Sequence, residues 1–388
     1  MYIWNSGLIR CSIERPRNYL TAYYQIAGSF FFGERRMKRG LTILTILSLI
    51  LLVSIICPQF ISAKRLYAEN GAGKFQENQS SGSFEEGYVP LPDGLRLYYR
   101  KIGSGKRVVI VPLRLFLFDD FKQLGDQFTV ISYDTRNRGY SSAVQDNTKL
   151  TINEDIEDIE RVRRHFRVQK FSLVGYSYMG MGVVLYAMKY PQYVERLVQL
   201  GPVPLKYGTA YPASLMANDT KPVPDPAEMA KIEELRKTGF DQTNPKEFCE
   251  RQWQATRFRL VGNPANVLKL GRGVCDMPNE WAVNLARHFQ YSFTSIQRLN
   301  ISKADVAKVS IPVLTIHGTK DRNAPYGAGR EWALMLPNAR LLTVDGAAHQ
   351  AFAEFPEIVF PAIRIFLKGG WPAQAEKVTS LERPARKT

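Results

Sequence analysis

The stretch Leu173-Val174-Gly175-Tyr176-Ser177-Tyr178-Met179-Gly180 sets one serine in a tight turn between an apolar run and a helix-forming segment. A strand that meets a helix this sharply forces the serine hydroxyl out above the sheet, the arrangement of a nucleophile elbow. Small neighbours are needed there, because the turn strains the serine's dihedrals and brings backbone segments close. A serine hydroxyl is a weak nucleophile near neutral pH. The elbow therefore demands a histidine to take its proton, a carboxylate to orient that histidine, and two N–H donors for the oxyanion.

The chain carries four histidines. His165 lies in a charged helix beside the apolar face of Ile156, Ile159, Val162 and Phe166, and reads as a solvated surface residue. His288 lies in a middle segment where packing and substrate contact are both open to it. His317 closes the apolar run Val313-Leu314-Thr315-Ile316 and is expected to pack and hydrogen-bond locally. His349 follows the strand-like 340–344 and the small-residue loop Asp345-Gly346-Ala347-Ala348. Such a loop holds a side chain without burying it, as a general base requires, and elimination favours His349. Asp321 follows the strand 311–317, at the carboxyl end where open α/β sheets place their sites. It is the expected orienting acid, against the plainer role of capping the next helix. Asp345 is the runner-up, read as a turn residue before Gly346.

The residues Tyr133-Asp134-Thr135-Arg136-Asn137-Arg138-Gly139-Tyr140-Ser141, the Ser177 elbow, Ile316-His317-Gly318-Thr319-Lys320-Asp321 and Gly346-Ala347-Ala348-His349 occur in this order. With them the chain resembles the α/β-hydrolase superfamily from about Glu85 to Lys368, in its capped, proline-iminopeptidase-like and esterase-like branch. The order Ser177, Asp321, His349 matches the serine–acid–histidine order of that fold. Two departures stand out. Met179 occupies a place where the family's elbow has a small residue, so its side chain must lean away from the neighbouring strand. After the strand Val108-Val109-Ile110-Val111 the family places a His-Gly or Asn-Gly turn that supplies one oxyanion donor; here the sequence is Pro112-Leu113-Arg114-Leu115-Phe116. One donor is expected from the N–H of Tyr178. The other is expected from Leu113, with Arg114 and Leu115 as alternatives.

Strands are expected at 86–90, 95–101, 107–112, 128–133, 170–175, 194–200, 311–317 and 339–344. The early ones follow one another closely, as in a meander. The later ones are continuous apolar runs alternating with helices at 153–166, 178–189, 327–336 and 356–367, which implies a mostly parallel sheet covered on both faces. The expected fold is an α/β-hydrolase: an eight-stranded, mostly parallel sheet with helices on both faces and a helical cap insertion. The core spans 85–202 and 309–370, the cap 203–308, and 371–388 is a polar tail. In the cap, Asp225-Pro226-Ala227-Glu228 has the form of a helix start and Gly239 of its end. Asn244-Pro245-Lys246-Glu247 repeats the pattern, and a third helix is expected at 279–291. Trp253, Phe258, Trp281, Phe289, Tyr291 and Phe293 are candidates for an apolar pocket over Ser177, or for the cap's own core. Glu228, Glu233, Glu234, Glu247 and Glu250 read as a solvated helix face, or as one partner for a substrate amine.

Residues 1–63 stand apart from the domain. Gly40 to Ala63 contains no charge, and Arg35, Arg36, Lys38 and Arg39 precede it. A positive flank, an apolar run and a small-residue end form a secretory signal, with cleavage after Ala63. An uncleaved anchor is the alternative, associating residues 41–63 with a membrane, although the run is slightly short for a span of about 20 residues. Met37, directly before Lys38 and Arg39, reads as a more natural start than Met1. Residues 64–84 read as a flexible linker. The net charge of +16 is concentrated at this end: residues 1–66 contribute +7, which leaves +9 for the rest. No lysine or arginine run suggests nucleic acid. Cys249 and Cys275, both in the middle segment, either pair in an exported protein or remain free.

Together these readings imply an exported serine hydrolase with no metal or cofactor, cleaving a small carboxylic ester or a short peptide amide. Its nearest rival is a non-catalytic or weakly active binding protein on the same fold, motivated by the missing glycine after Val111.

Overall fold

The computed structural model describes residues 83–217, 223–271 and 273–383. The expectations for residues 1–63, and for the linker up to residue 82, lie outside the described residues. Among the described residues, no helix is long and apolar enough to cross a membrane.

Eight strands form one sheet: β1 (Glu85–Pro90), β2 (Arg96–Ile102), β3 (Val108–Pro112), β4 (Thr129–Tyr133), β5 (Phe171–Tyr176), β6 (Val194–Leu200), β7 (Val313–Gly318) and β8 (Ala339–Val344). Their spatial order is β1-β2-β4-β3-β5-β6-β7-β8. The first three in that order pair antiparallel and the rest parallel. Every residue of β5 and β7 is buried. Alternating side chains point to opposite faces, so both faces are covered, as parallel strands require.

The crossovers are α1 (Arg114–Phe121), α2 (Ile152–His165), α3 (Tyr178–Lys189), α7 (Tyr326–Met335) and α8 (Pro356–Leu367), with α4 (Pro226–Lys237), α5 (Pro245–Thr256) and α6 (Ala282–Gln297) between β6 and β7. Helix α1 lacks an expected counterpart; the sequence there reads as a turn alone. In α2 the Thr151 hydroxyl accepts the N–H of Glu154 (3.2 Å), and Ile152, Ile156, Ile159 and Val162 face the core. Trp332 of α7 is fully buried, and its indole N–H donates to the Val203 carbonyl (2.8 Å).

The segment between β6 and β7 is helical, as expected. Asp225 accepts from Ala227 N–H (2.8 Å) at the start of α4, and Gly239 turns the chain after its end with φ 75°. Asn244 stands before α5 in the corresponding place but its side chain does not cap the helix. Helix α6 runs six residues past its expected end at residue 291. Cys249 and Cys275 are joined by a disulfide, with Cα atoms 5.7 Å apart. Ile232, Phe248 and Ala282 form a small apolar core within the segment. Glu228, Glu233, Glu234 and Glu247 pair with lysines or arginines three or four residues on, which makes them a solvated face.

The acidic residue that does bind the insertion to the core is Glu280. It is buried, and its carboxylate accepts Arg138 Nε (2.9 Å), Arg138 Nη2 (2.8 Å) and Gly139 N–H (2.8 Å). Asn279 adds bonds to the Gly139 and Ser141 carbonyls. The segment after residue 370 is also more than a tail. Buried Arg330 donates to the carbonyls of Ser380, Leu381 and Glu382 and pairs with Glu376, holding the segment against α7.

Removing one partner from a buried ion pair leaves the other charge uncompensated, at a cost of about 3–5 kcal/mol. Arg138→Met is therefore expected to lose stability of that order in urea unfolding. Adding Glu280→Gln should recover part of it, and a double variant no more stable than the single one contradicts the pairing.

Candidate active site

Strand β5 delivers Ser177 into the turn before α3 with φ 57° and ψ −123°, a strained conformation for a residue with a Cβ. Backbone bonds hold it: Ser177 N–H donates to the Leu200 carbonyl (2.9 Å), and the Ser177 carbonyl accepts from Gly180 N–H (2.9 Å) and Val203 N–H (3.3 Å). Met179 leans along α3 instead of toward the neighbouring strand. Its Sδ and Cε lie 3.1 Å from where a Cβ on Gly182 would stand, so the glycine one turn on makes room for the long side chain.

His349 and Asp321 meet. His349 Nδ1 lies 2.7 Å from Asp321 Oδ2, and both side chains are buried. The imidazole packs on Tyr176, the residue before Ser177, with ring centroids 4.7 Å apart. A Cβ on Gly201, next to the carbonyl that holds Ser177, would stand 3.0 Å from Asp321 Oδ2 and 3.1 Å from His349 Nδ1. The His349–Asp321 pair thus stands beside Gly201, the residue after the carbonyl that holds Ser177. None of the described hydrogen bonds joins Ser177 Oγ to His349.

Asp321 does not serve as an ordinary helix cap. Its Oδ1 accepts the N–H groups of Asn323 (2.8 Å) and Ala324 (2.9 Å), which leaves Oδ2 for the imidazole. Burial alone would raise its pKa, but the charge of His349 and hydrogen bonds from His317 and His349 hold it well below the usual carboxylate range. His317 packs and bonds locally to the Ala324 carbonyl (2.9 Å), as expected, and its Nε2 also stands 3.2 Å from Asp321 Oδ2. That second contact is beyond the sequence reading, which placed His317 four residues away without a role at the acid. His165 is exposed, and His288 is buried in the insertion. The His349 loop has an unforeseen support in buried Glu354, which accepts Ala348 N–H (2.7 Å) and Gly262 N–H (2.9 Å).

The turn after β3 explains its missing glycine. Leu113 itself adopts the left-handed conformation, φ 63° and ψ 46°, immediately before α1. For a residue with a side chain this costs on the order of 1–2 kcal/mol. Buried Asp134 holds the turn: it accepts Leu115 N–H (2.9 Å) and the Arg114 guanidinium (2.9 and 2.8 Å). Leu115 is thereby removed as an oxyanion donor, because its N–H is already engaged. Leu113 and Arg114 remain. Tyr178 is the first residue of α3, where an N–H has no acceptor within the helix.

The profile of the alpha/beta hydrolase fold family matches residues 117–356. The chain belongs to that family. A bifunctional esterase/perhydrolase of Acinetobacter calcoaceticus is 26% identical, over 68% of this chain and 92% of its own. A proline iminopeptidase of Lactobacillus helveticus is 25% identical, over 69% of this chain and 92% of its own. An esterase structure from Exiguobacterium antarcticum covers 74% of this chain and 100% of its own at a TM-score of 0.56 and 18% identity, a likeness of fold.

One part of this α/β hydrolase lies outside every expectation. Asp155 of α2 is buried, with the Tyr178 hydroxyl beside its carboxyl group. Burial, with the nearby charge of Asp158, pushes it up to about 8 against the pull of Arg136 and Arg138. A signal for it existed: Asp155 falls between Ile152 and Ile156 on the apolar stripe of the helix. The groups facing it are Asp158, Arg136, Arg138, Tyr133 and Tyr178. In the unfolded chain an aspartate ionises near about 4. Between these values the folded protein keeps a proton that the unfolded chain has released. This contribution to stability is complete below about pH 4 and is lost as pH rises through about 8. Urea unfolding at pH 5 and pH 8 should therefore show a smaller fall in stability for Asp155→Asn than for wild type; equal falls contradict the assignment.

Proposed function

We infer that the protein is a serine hydrolase of small carboxylic esters or amides, with Ser177 as nucleophile, His349 as general base and acid, and Asp321 as the orienting carboxylate. The observation that carries this reading is the 2.7 Å bond between His349 Nδ1 and Asp321, made beside a serine in a strained elbow. That bond leaves Nε2 as the nitrogen for the Ser177 proton. Ser177 Oγ attacks the carbonyl carbon, His349 takes its proton and then gives it to the departing alcohol or amine, and an acyl-enzyme remains. Water, deprotonated by His349, attacks the acyl carbon and releases the acid and Ser177. The N–H of Tyr178, with that of Leu113 or Arg114, faces the oxyanion in both stages; one such donor is worth about 10²–10³ in turnover. The insertion 203–308 acts as the cap over this site. That Leu113 makes a left-handed turn without glycine supports this reading over the rival one, a non-catalytic binder.

Relatives named esterase/perhydrolase and proline iminopeptidase support the two substrate classes. The apolar run within 41–57 and the Cys249–Cys275 disulfide support export.

A fluorophosphonate probe is expected to label the wild-type protein and to leave Ser177→Ala unlabelled. Asp321→Asn should retain binding and lose about 10⁴-fold in kcat on a p-nitrophenyl ester. A folded wild-type protein that takes no label refutes the reading. Export predicts a mature N-terminus after Ala63, read by N-terminal sequencing of the protein from the producing cell; a cell-associated chain that retains 41–63 supports the anchor instead.

A further inference from the structure

Two buried carboxylates fasten the insertion to the core. Glu280 reaches the loop 134–141, and Glu354 reaches the loop that carries His349. Glu354 ends the short helical turn Ala351–Glu354 and is 2% exposed. Its Oε2 accepts Ala348 N–H (2.7 Å), from the residue before His349, and Gly262 N–H (2.9 Å), from the insertion. Its Oε1 accepts Asn263 N–H (3.2 Å) and Asn266 Nδ2 (3.0 Å), both from the insertion.

The other side of His349 is fastened to the same segment. Gln350 N–H donates to the Leu260 carbonyl (3.0 Å). Lys269 Nζ donates to the Glu354 carbonyl (3.0 Å), and Arg322, the residue after Asp321, donates to the Val261 carbonyl (2.8 Å). Both chain neighbours of His349 are thus tied to 260–266, Ala348 through Glu354 and Gln350 directly. The approach is close: a Cβ on Gly262 would stand 1.8 Å from the Gly346 carbonyl oxygen.

A carboxylate taken out of water needs its lone pairs filled. The His349 loop supplies Glu354 with one of these four donors and the insertion with three. The carboxylate therefore settles against Ala348 only with 260–266 seated on it. Hydrogen bonds to a charged acceptor are the strong ones, so the tie is stiff. Stiffness matters here, because a misplacement of about 1 Å in a reacting group costs about 10² in rate.

We propose that Glu354 is a positioning residue for His349, and that it makes the seating of 260–266 a condition for placing the base. It touches no reacting atom and acts through Ala348. The insertion then serves the reaction as part of the frame that holds the imidazole, besides covering the site. This inference rests on the hydrolase reading of Ser177 and His349.

The test is turnover of a p-nitrophenyl ester by the full chain, with kcat expressed per site labelled by a fluorophosphonate at completion. A purely structural role would lower the number of labelled sites and leave kcat per site unchanged. Glu354→Leu, which keeps the bulk and removes both acceptors, is expected to lose about 10² in kcat per site. KM should stay within about twofold, since no contact to substrate is removed. Glu354→Gln keeps one acceptor oxygen and should recover most of that loss. Asn266→Asp, an isosteric change that sets a second carboxylate against Glu354 from the insertion side, should lower kcat several-fold; in the Glu354→Gln background the same change should have far less effect. This pair of variants decides the matter if Glu354→Leu does not fold. An unchanged kcat per site in the Glu354 variants, a loss carried by KM, or an Asn266→Asp effect of equal size in both backgrounds overturns the proposal. Wild-type protein that takes no label sinks the hydrolase reading and this inference with it; labelled wild type with any of those three results sinks this inference alone.

Discussion

Asp134 lies at the end of β4 with no solvent exposure, and its carboxylate organises two further segments at once. It accepts the N–H of Leu115 after β3, the Arg114 guanidinium, and the N–H of Tyr140 at the far side of its own loop. A buried carboxylate is tolerable only when such partners surround it. Here the requirement is turned into geometry: satisfying Asp134 holds Leu113 in its left-handed turn and shapes the loop 134–141. That loop carries Arg136 to Asp158 of α2 and Arg138 to Glu280 of the insertion. The turn beside the proposed nucleophile, the core helix and the insertion are therefore tied through one arginine-rich loop.

The same logic gives Asp155 its interest. Its neighbours show how the chain compensates a buried carboxylate, with a forked arginine in each case. Asp155 lacks that compensation and lies next to Tyr178, where the elbow becomes α3.

The strands and principal helices were legible because their signals are local. Continuous apolar runs such as 313–317 mark strands covered on both faces, and the capping pattern at Asp225-Pro226 needs only four residues. Helix α1 escaped because 112–116 carries no start signal: its first residue follows a leucine in a conformation that leucine disfavours. The Asn244 cap failed for a related reason. The residue type was suitable, but the hydroxyl of Thr243 took its side-chain oxygen. The acids of the insertion separated by context alone. Glu228 and Glu247 find partners on their own helices, whereas Glu280 finds Arg138, 142 residues away in the chain.

By itself the sequence determined the α/β-hydrolase fold and the candidates Ser177, Asp321 and His349. These depend on residue type, order and position at strand ends, which one chain displays directly. Only the tertiary structure decided the partners of buried polar groups. It put His317 as well as His349 on Asp321, engaged the Leu115 N–H, and let Gly182 receive Met179. A hydrogen bond requires atoms within about 3 Å. Residues far apart in sequence meet that condition only once the sheet and insertion have packed.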